Sequence, residues 1–260
     1  MKYKDYEGTI EELIVWKLRE IEEKENVVIL HAVESGSRAW GFASPDSDYD
    51  VRFIYVRPIE YYLQLEQKKD TIEWALDEVL DINGWDLSKV LRHFHKSNAV
   101  MFEWANSPVV YKTTELWREI VQGAAEYFSE KAAVYHYYGT AKKNCELFLR
   151  GENVRYKKYF YVLRPLLACQ WIEQRHCPPP VLFSEMAESI LENRMKSFVS
   201  HLLELKTKMT EAETAAHIPE IDEYIDNALI YYKSYSDSLP DDRNPDWKHL
   251  NQLFLNAIKP

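Results

Sequence analysis

Glycine is scarce in this chain, seven in 260 residues, and cysteine scarcer still at three. With hydrophobic residues at 46%, so few glycines mark an ordered globular protein and exclude a disordered or low-complexity one. Cys145, Cys169 and Cys177 are odd in number and lack metal-ligand spacing, which argues against a disulfide framework or a zinc site. A reducing cytoplasm is the expected compartment. No apolar run approaches the ~20 residues that span a bilayer. The opening MKYKDYEGTIEELIVW has no uninterrupted apolar core of a signal peptide. An excess of positive charge is missing too. The net charge of −10 speaks against a broad nucleic-acid-binding surface, because neutralising phosphates takes clustered Lys and Arg. A local basic pocket for a triphosphate is still compatible with it.

What the chain does have is one organising stretch, VILHAVESGSRAWGFASPDSDYDVRFIY, from Val28 to Tyr55. An apolar run rich in branched residues, Val27 to Val33, reads as a buried strand that ends at Ser35-Gly36-Ser37. A glycine there lets a phosphate approach the backbone closely. Arg38 to Gly41 reads as one turn of helix whose free amides face the Gly-Ser, as anion-binding helix starts do. Ser44 to Ser47 is turn chemistry, and Asp50 to Val56 is a second strand. Successive strand side chains alternate faces, so Asp48 and Asp50 share one face about 7 Å apart. Carboxylates that close repel unless a cation stands between them, and a hard, oxygen-seeking ion such as Mg2+ is the natural candidate. Arg52 falls on the same face, placed either to contact phosphate or to pair with an acid. Arg38 has two readings, a phosphate contact or a pair with Glu34.

Gly36-Ser37, a gap of ten residues, then Asp48-Tyr49-Asp50-Val51 resembles the signature of the DNA polymerase β-type nucleotidyltransferase superfamily. The longer runs GSRAWGFASPDSDYDVRFIYVRP, DINGWDLSKVL and FEWANSPVVY are similar to a narrower group, bacterial nucleotidyltransferases of the RlaP/YcgL type. The resemblance implies a third carboxylate on a strand beside the Asp-x-Asp strand. The segment Thr71–Ile82, TIEWALDEVLDI, alternates apolar and acidic positions as a long strand or a hairpin does. Asp81, between Leu80 and Ile82, matches the required pattern, with Asp77 as the competitor roughly 13 Å away along a strand. The expected chemistry is transfer of a nucleoside monophosphate from an NTP to a hydroxyl. Asp48, Asp50 and Asp81 would hold two Mg2+ ions, and Gly36, Ser37 and Arg38 would hold the phosphates. The acceptor is open: an RNA end, a protein or a small molecule. The rival readings are a catalytically silent nucleotide-binding regulator and a protein- or RNA-interaction module.

The rest of the chain is mostly helical. Thr9 and Glu12 have capping-box spacing before a helix to Lys24. Asn83-Gly84 reads as a turn, Asp86 as the cap of a helix through His95, and Ser107-Pro108 as a break. His93 and His95 read as residues of a solvated or partly buried helix face. From Thr113 the expected helices are about 113–128, 130–150, 156–176, 184–193, 195–210, 219–236 and 246–258, with Pro165 kinking or restarting the third. The overall expectation is an α+β chain. A mixed, polymerase β-like sheet with flanking helices fills 1–112, and an all-α domain fills 113–260. Within that helical part Arg155, Lys157, Lys158 and Arg164 are dense. The resemblance implies that such a domain donates Lys, Arg and Tyr to the triphosphate, which nominates Lys158 and Arg164, and Lys157 beside them.

Overall fold

The structure is a computed structural model, and it describes residues 6–44, 47–66, 68–75, 79–208 and 213–259. The chain forms two compact units, Met1–Phe128 with Arg243–Pro260, and Ser129–Asp242. The first unit runs on past residue 112 because the next helix, α6 (Glu115–Ala124), buries Trp117, Ile120 and Ala124 against the same core as the sheet. Leu250 of α12 (Lys248–Ile258) returns to that core from the end of the chain.

The first unit opens with α1 (Ile10–Glu25). Thr9 and Glu12 close a full capping box, Glu12 N–H donating to Thr9 Oγ1 at 3.2 Å and Thr9 N–H to Glu12 Oε2 at 3.0 Å. Asn26, left-handed at φ 50°, ends the helix. Five strands follow: β1 (Val28–Glu34), β2 (Tyr49–Val56), β3 (Thr71–Ala75), β4 (Leu80–Asp86) and β5 (Val110–Thr113). Their order in the sheet is β3-β4-β2-β1-β5. β2 and β4 run parallel; the other three pairs are antiparallel. The sheet is therefore mixed, as the α+β expectation required. Period-2 alternation sends Val51, Phe53 and Tyr55 to the face packed by Leu13, Ile14, Leu18 and Ile21 of α1. Ile54 and Val56 go to the other face, covered by α4 (Leu87–His95), α5 (Ala99–Ala105) and α6. Leu13, Ile14 and Ile21 are fully buried, and each contributes about 1.5–3 kcal/mol relative to exposure.

One sequence expectation is overturned here, one resolves to its hairpin alternative, and one strand is added. Asn83-Gly84 is no turn: both residues lie inside β4. A Cβ on Gly84 would sit 2.2 Å from the Phe53 ring, so the glycine is there to let that ring lie across the strand. The 71–82 segment resolves into two antiparallel strands, β3 and β4, with Asp77 outside the described residues. The stretch up to Thr113 holds a short edge strand, β5, preceded by α5, whose N-cap Asn98 accepts from Val100 N–H at 3.0 Å. Asp86 does cap α4, accepting from Ser88 N–H at 2.8 Å.

The second unit is built on α7 (Glu130–Phe148), α8 (Tyr156–Arg175), α9 (Phe183–Ile190), α10 (Asn193–Lys208) and α11 (Pro219–Ser238). α8 runs on through Pro165 without restarting. Lacking an N–H, the proline leaves the carbonyl of Tyr161 without its helical donor, and Asn144 of α7 fills that role, its Nδ2 donating at 3.0 Å. Cys145, Cys169 and Cys177 are free thiols, the first two of them buried. Among the described residues no helix is long and apolar enough to cross a membrane.

Candidate active site

The site begins where β1 ends. Gly36 has φ +63°, a conformation that costs an L side chain, and a Cβ there would lie 2.4 Å from Asp50 Oδ2. Two independent constraints thus select glycine at this position. Gly36–Ala39 forms the single helical turn α2, with Trp40 N–H donating to Gly36 O at 3.0 Å. The turn is tied to β2 from both sides: Ser35 N–H donates to Asp50 O at 2.9 Å, and Asp50 N–H to Glu34 Oε1 at 2.7 Å. Glu34 is buried and its other oxygen accepts from Tyr111 O–H at 2.6 Å. Burial pushes the Glu34 carboxyl above its usual range, and those two donors oppose the shift.

The acids are positioned by pairing, not by proximity in sequence. In the parallel β2–β4 ladder Asp50 stands directly opposite Asp81. Asp48 precedes β2, exposed, two residues before Asp50. Arg52, on the same face of β2, joins the pair: its Nη2 donates to Asp50 Oδ1 at 3.0 Å and to Asp81 Oδ2 at 2.9 Å. Burial raises the Asp50 carboxyl above its ordinary 3.8, Arg52 lowers it, and the like charges of Asp81 and Asp48 raise it further. The repulsion expected from Asp-x-Asp is therefore present, and Arg52 is what presently offsets it.

Arg38 acts on Glu34 through its charge, which lowers that carboxyl, while its hydrogen bonds go to the loop before β2. Its guanidinium lies 3.6 Å over the Tyr49 ring and donates to the carbonyls of Ser47, at 2.6 and 3.1 Å, and of Asp48, at 3.1 Å. It therefore fastens the loop that delivers Asp48. A cavity of about 390 Å³ lies beside it, lined by Glu34, Arg38, Tyr49 and Tyr111 among others.

Lys157, Lys158 and Arg164 belong to the second unit. Lys158 is half-buried, its Nζ lying 4.2 Å over the Phe148 ring and 4.8 Å over Tyr161. Arg164 corrects the expectation made for it: it is only 4% exposed, and its Nε and Nη2 both point to the Val181 carbonyl at 3.4 Å. Phe160, Leu163, Leu166 and Leu167 around it are buried too, so α8 offers no solvent face at that position. Glu34 and Tyr111 were missed as site residues by sequence reasoning. Their signals were an acid ending an apolar run and a tyrosine closing FEWANSPVVY.

Among the described residues no group of three or more His, Cys, Asp or Glu is drawn together as a ready metal cluster. The donor chemistry nonetheless fits a hard divalent cation. Asp48, Asp50 and Asp81 supply carboxylate oxygens at one end of the sheet, and between two of them a guanidinium stands in for positive charge.

A mixed sheet with a Gly-Ser turn closed against an Asp-x-Asp strand is the arrangement that the resemblance to polymerase β-type nucleotidyltransferases implied. The chain belongs to the RlaP family, the RNA repair pathway DNA polymerase beta family, whose family model matches residues 10–256. It is 43% identical over 251 residues to the uncharacterized protein YcgL of Bacillus subtilis (strain 168), covering 95% of each chain. A solved nucleotidyltransferase-like protein from Exiguobacterium sibiricum 255-15 is 15% identical, with a TM-score of 0.30 over 86% of this chain and 75% of that one. The resemblance read from the sequence motifs holds at the level of the family.

Proposed function

We infer that the protein transfers a nucleoside monophosphate from a nucleoside triphosphate to a hydroxyl acceptor and releases pyrophosphate. The observation that carries this reading is the direct pairing of Asp50 with Asp81 across β2–β4, with Asp48 two residues upstream and Gly36 pressed against Asp50. In this reading Asp48, Asp50 and Asp81 hold Mg2+. Bound there, Mg2+ neutralises phosphate charge and lowers the pKa of an attacking hydroxyl. The chain's own part is positioning. The first amides of α2 have no partner within their helix and, with the Ser37 hydroxyl, suit the β and γ phosphates. Glu34 and Arg38 fix Asp50 and Asp48 through the backbone, so the acids are oriented before substrate arrives. Lys158 keeps its place as a proposed phosphate contact, whereas Arg164 does not, since its guanidinium is committed inside the helical unit. The family's description makes an RNA end the first acceptor to try, ahead of protein and small-molecule hydroxyls.

The test is pyrophosphate release and label transfer from each of the four α-labelled triphosphates, with Mg2+, in the presence of RNA ends of defined 5′ and 3′ chemistry. Wild-type protein should transfer label, and Asp48→Asn and Asp50→Asn should each remove it while leaving the circular dichroism unchanged. Normal turnover by the double variant would refute the site. Nucleotide binding without transfer to any acceptor would instead make the protein a nucleotide-binding regulator.

A further inference from the structure

Arg52 has more contacts than a simple ion pair needs. Nη1 donates to the carbonyls of Val51, at 3.0 Å, and Asp81, at 3.3 Å, while Nη2 reaches Asp50 Oδ1 and Asp81 Oδ2. Its side chain is 18% exposed, against 53% for that of Asp81. A single nitrogen within 3.0 Å of carboxylate oxygens from two strands occupies the place a bridging cation would take. Mg2+ requires those oxygens at about 2.0–2.1 Å in near-octahedral array. Guanidinium and metal therefore compete for the same lone pairs, and two positive groups cannot share that gap without repulsion.

We propose that Arg52 is a displaceable counter-ion that holds Asp50 and Asp81 in the metal-free protein and transfers to a phosphate of the incoming triphosphate as metal takes its place. This rests on the function inferred above and adds a positioning role to it. The planar fork of Arg suits phosphate as well as carboxylate, so the same donors serve both states. Arg52 lies on the acids' face of β2, two residues beyond Asp50, within a side chain's reach of whatever the acids hold. The consequence is thermodynamic coupling: a triphosphate that draws Arg52 away raises the affinity for metal, and metal raises the affinity for triphosphate by the same factor. An arginine that only clamps β2 to β4 would give no such dependence.

The discriminating measurement is Mn2+ affinity, read by electron paramagnetic resonance on the full chain, with and without a non-hydrolysable ATP analogue. Wild type, Arg52→Gln and Arg52→Lys are compared. Without nucleotide, Arg52→Gln should bind Mn2+ on the order of tenfold more tightly than wild type, because the competing cation is gone. The analogue should then enhance its Mn2+ binding by a smaller factor than in wild type. Arg52→Lys, which keeps charge without the fork, should show a smaller gain and serves alone if the glutamine variant fails to fold. The proposal falls if the variants bind Mn2+ no more tightly than wild type without nucleotide while wild type binds it with the analogue. Failure of the underlying function looks different: Mn2+ then binds neither wild type nor variants under either condition, and both readings are lost.

Discussion

Asp50 and Asp81 face each other across the parallel pair of β2 and β4, and the same nitrogen of Arg52 lies 3.0 Å from one carboxylate and 2.9 Å from the other. At Asp81 the effects of substitution on stability and on turnover should separate. Its side chain is 53% exposed, and an ion pair so open to water is worth about 0–1 kcal/mol. Asp81→Asn should therefore shift the urea midpoint little, by less than about 1 kcal/mol in unfolding free energy. Turnover should fall on the order of 10²-fold or more, the scale set by removing one charge-stabilising group from a preorganised site. A variant that unfolds easily but turns over normally would mean that Asp81 is a structural acid only.

Arg38 gives the second prediction. Its three hydrogen bonds go to backbone carbonyls of Ser47 and Asp48, and its plane covers Tyr49. A lysine carries the same charge but has no fork and no flat face. Arg38→Lys should consequently behave like Arg38→Ala, each losing on the order of tenfold or more in kcat/KM through a looser Asp48. Steady-state kinetics with varied Mg2+ would check this. Full activity in the lysine variant would show that Arg38 acts by charge alone.

Gly84 gives the third. A methyl there would meet Phe53 Cε2 and Cζ at 2.2 Å, so Gly84→Ala should destabilise by about 1–3 kcal/mol, the usual cost of overpacking a tight core. The strain is local to one ring. Phe53→Leu added to Gly84→Ala should therefore recover part of the loss, with a coupling of at least about 0.5 kcal/mol in a double-mutant cycle from denaturant curves. Additive effects would mean that the strand shifts as a body and that the ring contact is incidental.

What the sequence made legible was what has a period or a cap. The capping box of Thr9 and Glu12, the helix through His95 begun by Asp86, and the long helices from residue 130 on were all readable locally. β5 was not: four residues in which no side chain is buried give no alternation to detect. Nor was the return of Leu250 to the first core, since long-range packing leaves no trace in local spacing. At the site, Asp48, Asp50 and the Gly-Ser turn were visible as a motif. The register that sets Asp81 opposite Asp50 was not, because a parallel pairing is fixed by the crossover and not by either strand. Arg164 shows the limit of local composition. A dense basic stretch nominates it, but the buried run 162–169 of α8 puts its guanidinium inside.

The last prediction concerns acid. His31, in β1, is buried, its ring stacked 5.0 Å from that of Trp117 and its Nε2 3.2 Å from the Trp104 carbonyl. Burial lowers its pKa from 6.5 to about 4, with carbonyl hydrogen bonds opposing. Between those two values the unfolded chain takes up a proton that the folded chain refuses, so stability drops as pH falls from 6.5 towards 4. The full shift corresponds to roughly 3 kcal/mol at 1.36 kcal/mol per pKa unit. The cost is complete only once pH has passed below the folded value. His31→Phe keeps a flat ring against Trp117 and removes the titration. Urea unfolding at a series of pH values should show wild type losing about 2–3 kcal/mol more than His31→Phe over this range. Parallel profiles would show that the imidazole is protonated in the folded protein, with the Trp104 carbonyl holding the charge.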